Sequence, residues 1–285
     1  MRALAEFVMR GRSHAVGATL VSTSLPLLNW LGTAIVSLVI LRKGPLEGLM
    51  VLMWALIPLG IALYLVGDPS PVIAMLGTAL LACVLRVTAS WEVTLAIAVL
   101  VSGAGSLVFE LSATEVLAAI VEWYLEYSRQ LATELHQTGE PTFGEAKSAI
   151  MGFFAMGQAY AMLAFLVLAR WWQSELYNPG GFGKEFRQLR MSPLLSAVLV
   201  FMMLICFAFD EYLGRWIPLL TVPLIIPALA FIHWLIGSRK LSGNWVFGFY
   251  MLLAVMFQVV YPLLASLALM DSWFDLRTRF QSKEV

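Results

Sequence analysis

Charge is what this 285-residue chain has least of: Asp, Glu, Lys and Arg make up 13% of it, against 60% hydrophobic residues. A soluble domain carries about 25% charged residues, so this chain could not cover a folded surface with polar groups. Its eighteen acidic and eighteen basic residues cancel, which removes any general attraction to nucleic acid. Only two cysteines are present, Cys83 and Cys206. Both lie in apolar stretches, where a thiol behaves as a small hydrophobe and neither a disulfide framework nor a metal site is implied. The three histidines, His14, His136 and His233, are too scattered for a metal centre. His-Glu-x-x-His, Gly-x-Ser-x-Gly and phosphate-binding Gly-Lys-Ser/Thr motifs are all missing, so nothing argues for an enzyme or for a cofactor.

What is there is a series of apolar runs: Ala15–Leu41, Gly48–Val66, Pro71–Leu85, Trp91–Phe109, Ala149–Ala169, Pro193–Phe209, Trp216–Gly237 and Trp245–Met270. A bilayer-spanning helix needs roughly 20 apolar residues. None of the runs alternates with the period of a barrel strand, and helices are the other solution to spanning a membrane. The chain is expected to be an all-α bundle of about eight spans, residues 1–285 forming one membrane domain. Arg2, Arg10 and Arg12 precede a first run much longer than a signal-peptide core, which predicts a retained helix.

The first run can form one tilted helix or break at Ser22-Thr23-Ser24-Leu25-Pro26. Cytoplasmic loops collect Lys and Arg, and the charges favour the break. If the run doubles back, twelve basic residues fall on one side: Arg2, Arg10, Arg12, Arg42, Lys43, Arg86, Arg170, Lys184, Arg187, Arg190, Arg239 and Lys240. Arg129, Lys147 and Arg215 fall on the other. This predicts a cytoplasmic N-terminus in a bacterial inner membrane. The tail, with Arg277, Arg279 and Lys283 offset by Asp271, Asp275 and Glu284, is left on either side. A second break near Pro262 would bring it inside.

Residues 110–147 form the largest non-spanning segment, with seven acids against two bases. Ser112-x-x-Glu115 reads as a capping box. At 100° per residue, Glu115, Glu122, Glu126, Arg129 and Thr133 fall on one side, and Leu117, Ile120, Tyr124, Leu131 and Leu135 on the opposite one. An amphipathic helix on the outer side is expected, laid over the bundle and loosening at Gly139-Glu140-Pro141.

The connector after the fifth run contains Trp171, Trp172 and then Tyr177-Asn178-Pro179-Gly180-Gly181-Phe182-Gly183-Lys184-Glu185-Phe186. Tryptophans suit the bilayer interface, Asn-Pro-Gly-Gly forces a sharp turn, and Lys184 to Arg190 suit a short basic amphipathic helix. Such an elbow pins topology or docks a cytoplasmic partner through Asn178, Gly180, Gly181, Phe182 and Arg187. The elbow, the overall length and the basic amphipathic start resemble the YybS-like family of bacterial membrane proteins, which is distantly similar to the S components of energy-coupling-factor transporters. The resemblance implies a bundle that captures a small molecule and relies on a separate coupling protein with ATPase subunits. It further implies an alanine-rich face toward that partner, for which Ala155 and Ala159 on the fifth run are the candidates.

Asn29, Gln158 and Gln258 place amides inside three apolar runs, where such groups bond neighbouring helices or meet a ligand. With Trp123, Tyr124 and Tyr160 they are expected to line a cavity beneath the acidic helix, suited to a small polar–aromatic ligand. The alternative is a scaffold or assembly protein whose bundle holds no ligand and whose basic connectors dock a partner.

Overall fold

Lipid offers no partner to an exposed amide, so each spanning segment must satisfy its own backbone. The computed structural model, which describes residues 2–134 and 141–281, meets this with helices and, among those residues, no strand. Leu135, His136, Gly139, Glu140, Lys283 and Glu284 lie outside the described residues.

A short α1 (Arg2–Met9) precedes α2 (Arg12–Ser24), a 3-10 turn (Pro26–Leu28) and α3 (Asn29–Lys43). Then come α4 (Pro45–Val66), α5 (Ser70–Thr88), α6 (Trp91–Ser112) and the amphipathic α7 (Thr114–Glu134). The long α8 (Phe143–Tyr177) leads into α9 (Gly181–Gln188), α10 (Pro193–Ala208) and α11 (Asp210–Leu213). The chain closes with α12 (Ile217–Ser238), α13 (Gly243–Val255), α14 (Phe257–Phe274) and α15 (Leu276–Gln281). Among the described residues seven helical segments are long and apolar enough to cross a bilayer, and eight if α9 and α10, bent by 61°, are counted as one span. This is an integral, multi-pass membrane protein.

The core is centred on α3, buried without interruption from Gly32 to Leu41 and surrounded by α2, α4, α5 and α8. Contacts between connectors sort the helix ends into two groups. At one end Arg12 pairs with Glu47, and both Arg86 and Gln173 donate to the Leu41 carbonyl. Arg42 lies over the Tyr177 ring, Trp91 donates to Glu185, and Ser192 donates to Glu92. At the opposite end Glu110 joins α6 to the rest of the acidic end, through Lys147 at 3.0 Å and Arg215 at 3.1 Å. Among the described residues the first end holds fourteen basic and seven acidic side chains, the second three basic and nine acidic. We refer to them as the basic and acidic ends.

The first apolar run is broken. Leu25 is extended (φ −108°, ψ 113°), the conformation favoured before a proline, and Pro26 opens a 3-10 turn rather than continuing the helix. The last run, left open between one span and a break near Pro262, is broken at Met256, and Pro262 stays inside α14. Both ends of the α13–α14 pair belong to the basic end: Tyr250 of α13 bonds to His233 near the end of α12, and Arg190 bonds to Ser272 of α14. The tail therefore lies at the basic end. Ala113 and Phe209 show nearly the same backbone angles as Met256, so one residue leaving the helical basin is enough to redirect the chain at three corners.

The expected capping box at Ser112 is not formed. Ser112 donates back to the Val108 carbonyl, and Ala113 makes the corner. The box sits instead at the start of α8, where Thr142 and Glu145 satisfy each other's amides.

Candidate functional site

The break in the first run makes a helical hairpin that enters from the basic end. Its polar tip follows from local chemistry. Ser22, Thr23 and Ser24 send their hydroxyls to the carbonyls four residues earlier, at 2.7 to 2.8 Å. That satisfies their donors at membrane depth, a local option open to short hydroxyl side chains. Their oxygens remain able to accept.

The depth of the tip is set by Gly48. A Cβ there would lie 2.1 Å from Ile40 Cγ1, so α3 and α4 touch at this pair and run antiparallel from it. Counting along both helices puts Asn29 level with Leu59. Helix α4 continues seven residues to Val66, about 10 Å at 1.5 Å per residue. The hairpin tip thus stops short of the acidic end and leaves a hollow above it.

That hollow has a volume of about 430 Å³ and is lined by Thr23, Ser24, Pro26 and Asn29 of the hairpin, Pro58, Leu59 and Leu65 of α4, and Asp68 and Pro71 at its mouth. The Asn29 Oδ1 is buried with no hydrogen-bond partner. A buried polar atom left unpaired costs roughly 1–3 kcal/mol, and of the residues that line the hollow Asn29 is the one that carries such an atom. Pro58 has no amide hydrogen, so the Trp54 carbonyl one turn earlier loses its helical partner beside the same wall. Asp68 accepts from the amide and hydroxyl of Ser70, which orients its carboxylate at the rim.

The six residues expected to line one cavity are not gathered together. Asn29 lines the hollow. Gln158 approaches its depth on α8: the Gln173–Leu41 contact sets the register, and Gln158 and Asn29 lie about 22 Å and 18 Å from it along their helices. The Gln158 Oε1 is also buried and unpartnered. Tyr160 bonds to Tyr261 at 2.8 Å, and Tyr261 bonds to Thr221 at 2.6 Å, a hydroxyl chain that ties α8, α14 and α12 together. Tyr124 packs on a small satellite core with Phe109, Leu117 and Met151. Trp123 is 68% exposed and stacks on Tyr127, and Gln258 is exposed on α14. Helix α7 docks through that satellite core on α6 and α8, and only its first turn reaches the hollow's mouth, where Val116 faces Gly67.

Ala155 and Ala159 are fully buried in the main core. The alanine face is internal packing between helices and cannot meet a partner. In the elbow, Asn178, Gly180 and Arg187 are exposed, Gly181 and Phe182 partly so. Ser174 holds the turn by donating to the Asn178 carbonyl and accepting from the Phe182 amide, both at 2.8 Å. Among the described residues no group of three His, Cys, Asp or Glu side chains comes together.

Pro58 and Asp68 escape a reading of the sequence. A proline inside an apolar run, and Gly67-Asp68-Pro69 after it, read equally well as an ordinary kink and turn. No protein-family model, curated protein or solved structure matches the chain.

Proposed function

We propose that this protein is a membrane subunit that binds a small molecule, taking it from the acidic end into the hollow above the hairpin tip. The observation that carries this reading is the buried, unpartnered amide oxygen of Asn29, a residue that lines the hollow together with Ser24, Pro58 and Asp68. Preformed pockets of ligand size commonly combine apolar walls with a few placed polar groups. A hydrogen-bond donor on the ligand would satisfy Asn29, and the negative end of the molecule favours neutral or cationic ligands. The chain offers no nucleotide-binding motif of its own, so transport would require a separate ATPase-bearing partner, as the YybS-like resemblance implies. In this reading the basic end is cytoplasmic, in a bacterial inner membrane, by the bias of Lys and Arg toward that side.

The test is mass spectrometry of gently purified protein for retained small molecules, repeated on Asn29→Leu. Retention by the native chain and loss from the variant, with the ligand-free melting temperature kept within a few degrees, supports binding. Absence of any retained compound, or equal retention by both proteins, removes it and leaves the scaffold reading.

A further inference from the structure

At the basic end, α9 stands beside the last turn of α12, and between them lies a cleft of about 500 Å³ lined by Lys184, Arg187, Gln188, Trp234, Gly237 and Ser238. Its formal charge is of one sign. Among the described residues no carboxylate pairs with Lys184 or Arg187, and the neighbouring Glu185 is held by Arg170 at 2.7 Å. Arg187 Nε donates to the Gly183 carbonyl at 2.8 Å, which lays the guanidinium along α12. Gly237 makes that possible: a Cβ there would lie 2.8 Å from Arg187 Nη1. The sequence thus holds an unneutralised cation against a helix end.

The position of the cleft identifies what it faces. Trp234 sits one turn deeper in α12, while Trp245 at the start of α13 and Trp273 at the end of α14 are 61% and 50% exposed. Exposed tryptophans on spanning helices mark headgroup depth. Below that level α13 has no buried residue and presents Phe247 and Met251 outward. A basic recess at headgroup level above uncovered apolar surface is complementary to one kind of molecule, an anionic head joined to acyl chains.

We propose that this cleft is a binding site for an anionic phospholipid, with Lys184 and Arg187 on its phosphate and Trp234 at the glycerol level. The site is at the opposite end from the hairpin hollow and stands or falls separately from it. The elbow then has a physical role, because a bound lipid neutralises the two cations and fixes α9 against α12.

Native mass spectrometry of the full chain in detergent, titrated with phosphatidylglycerol or phosphatidylcholine, tests this. The expected result is preferential retention of phosphatidylglycerol, since a basic side chain at an anionic surface contributes about fivefold in affinity. Lys184→Gln should weaken it about fivefold and the added Arg187→Gln about 25-fold in total, whereas Lys184→Arg should restore it. Lys184 is exposed and makes no ion pair among the described residues, so the single variant remains informative if the double variant fails to fold. Equal retention of both lipids, or unchanged phosphatidylglycerol binding in the single variant, overturns the proposal. So does full displacement by millimolar inorganic phosphate, which would make the site one for a soluble anion. Loss of a co-purifying acidic protein from Lys184→Gln without loss of lipid would assign the cleft to a protein partner instead.

Discussion

Arg277 donates from Nε to Oδ2 of Asp271 at 2.9 Å, and the pair is almost wholly enclosed, with side-chain exposures of 11% and 3%. The other guanidinium nitrogens of Arg277 reach the carbonyls of Arg187 and Leu189. One residue of the tail therefore pairs with one oxygen of a buried carboxylate, whose Oδ1 is left without a hydrogen-bond partner, and fastens the α9–α10 elbow. Burial pulls the Arg277 guanidinium below its ordinary value, and Asp271 opposes that shift.

Arg277→Ala should be severe. It leaves Asp271 charged, buried and unpaired, a change that typically costs 3–5 kcal/mol. The thermal melting of the purified protein should fall sharply. Asp271→Asn should cost less, because the Arg277 guanidinium it leaves without an anion still donates to the carbonyls of Arg187 and Leu189. If the two variants melt alike, the pair is not the clasp described.

Gly48→Ala should destabilise through its clash with Ile40. Overpacking a tight core contact costs about 1–3 kcal/mol. Adding Ile40→Ala should make the double variant more stable than the sum of the two single effects, because the residues are in direct contact. Strict additivity of the two melting shifts would place α3 and α4 in a different register.

Tyr261→Phe should lower stability by about 1–3 kcal/mol, the cost of leaving buried hydrogen-bonding partners unpaired. Thr221 retains its bond to the Pro218 carbonyl and limits the loss. Retention of any small molecule should be unaffected, since Tyr261 does not line the hollow. A change in ligand retention with unaltered melting would move the binding site to this hydroxyl chain.

Topology is checked by single cysteines in a Cys83- and Cys206-free protein. Cysteine at Glu134 should label from one side with an impermeant reagent. Cysteines at Gln188 and Thr278 should both label from the other. Thr278 labelling with Glu134 would contradict the return of α14 to the basic end.

Some particulars could be read from local chemistry and others could not. The break at Leu25-Pro26 was legible because hydroxyl residues followed by proline are a local signal. The break at Met256 carries no such signal: methionine is a good helix former, and the corner is made by the packing of α14 on α12 and α10. Asn29, Gln158 and Gln258 looked alike as amides in apolar runs. Their fates diverged because the helices rotate them differently, toward the hollow, into the core region, or outward.

By itself the sequence determined that this is a helical membrane protein, which stretches are apolar enough to lie in the bilayer, and which connectors carry the basic charge. Those follow from apolar length and from the need of each segment to close its own hydrogen bonds in lipid. Tertiary structure decided where the tail lies, that the alanines of α8 face inward, and that a hollow stands above the hairpin tip. These depend on contacts between residues far apart in the chain, such as Gly48 against Ile40's branched side chain or Arg277 against Leu189. Such contacts are set by the fit of whole helices, and no local pattern of residues encodes them.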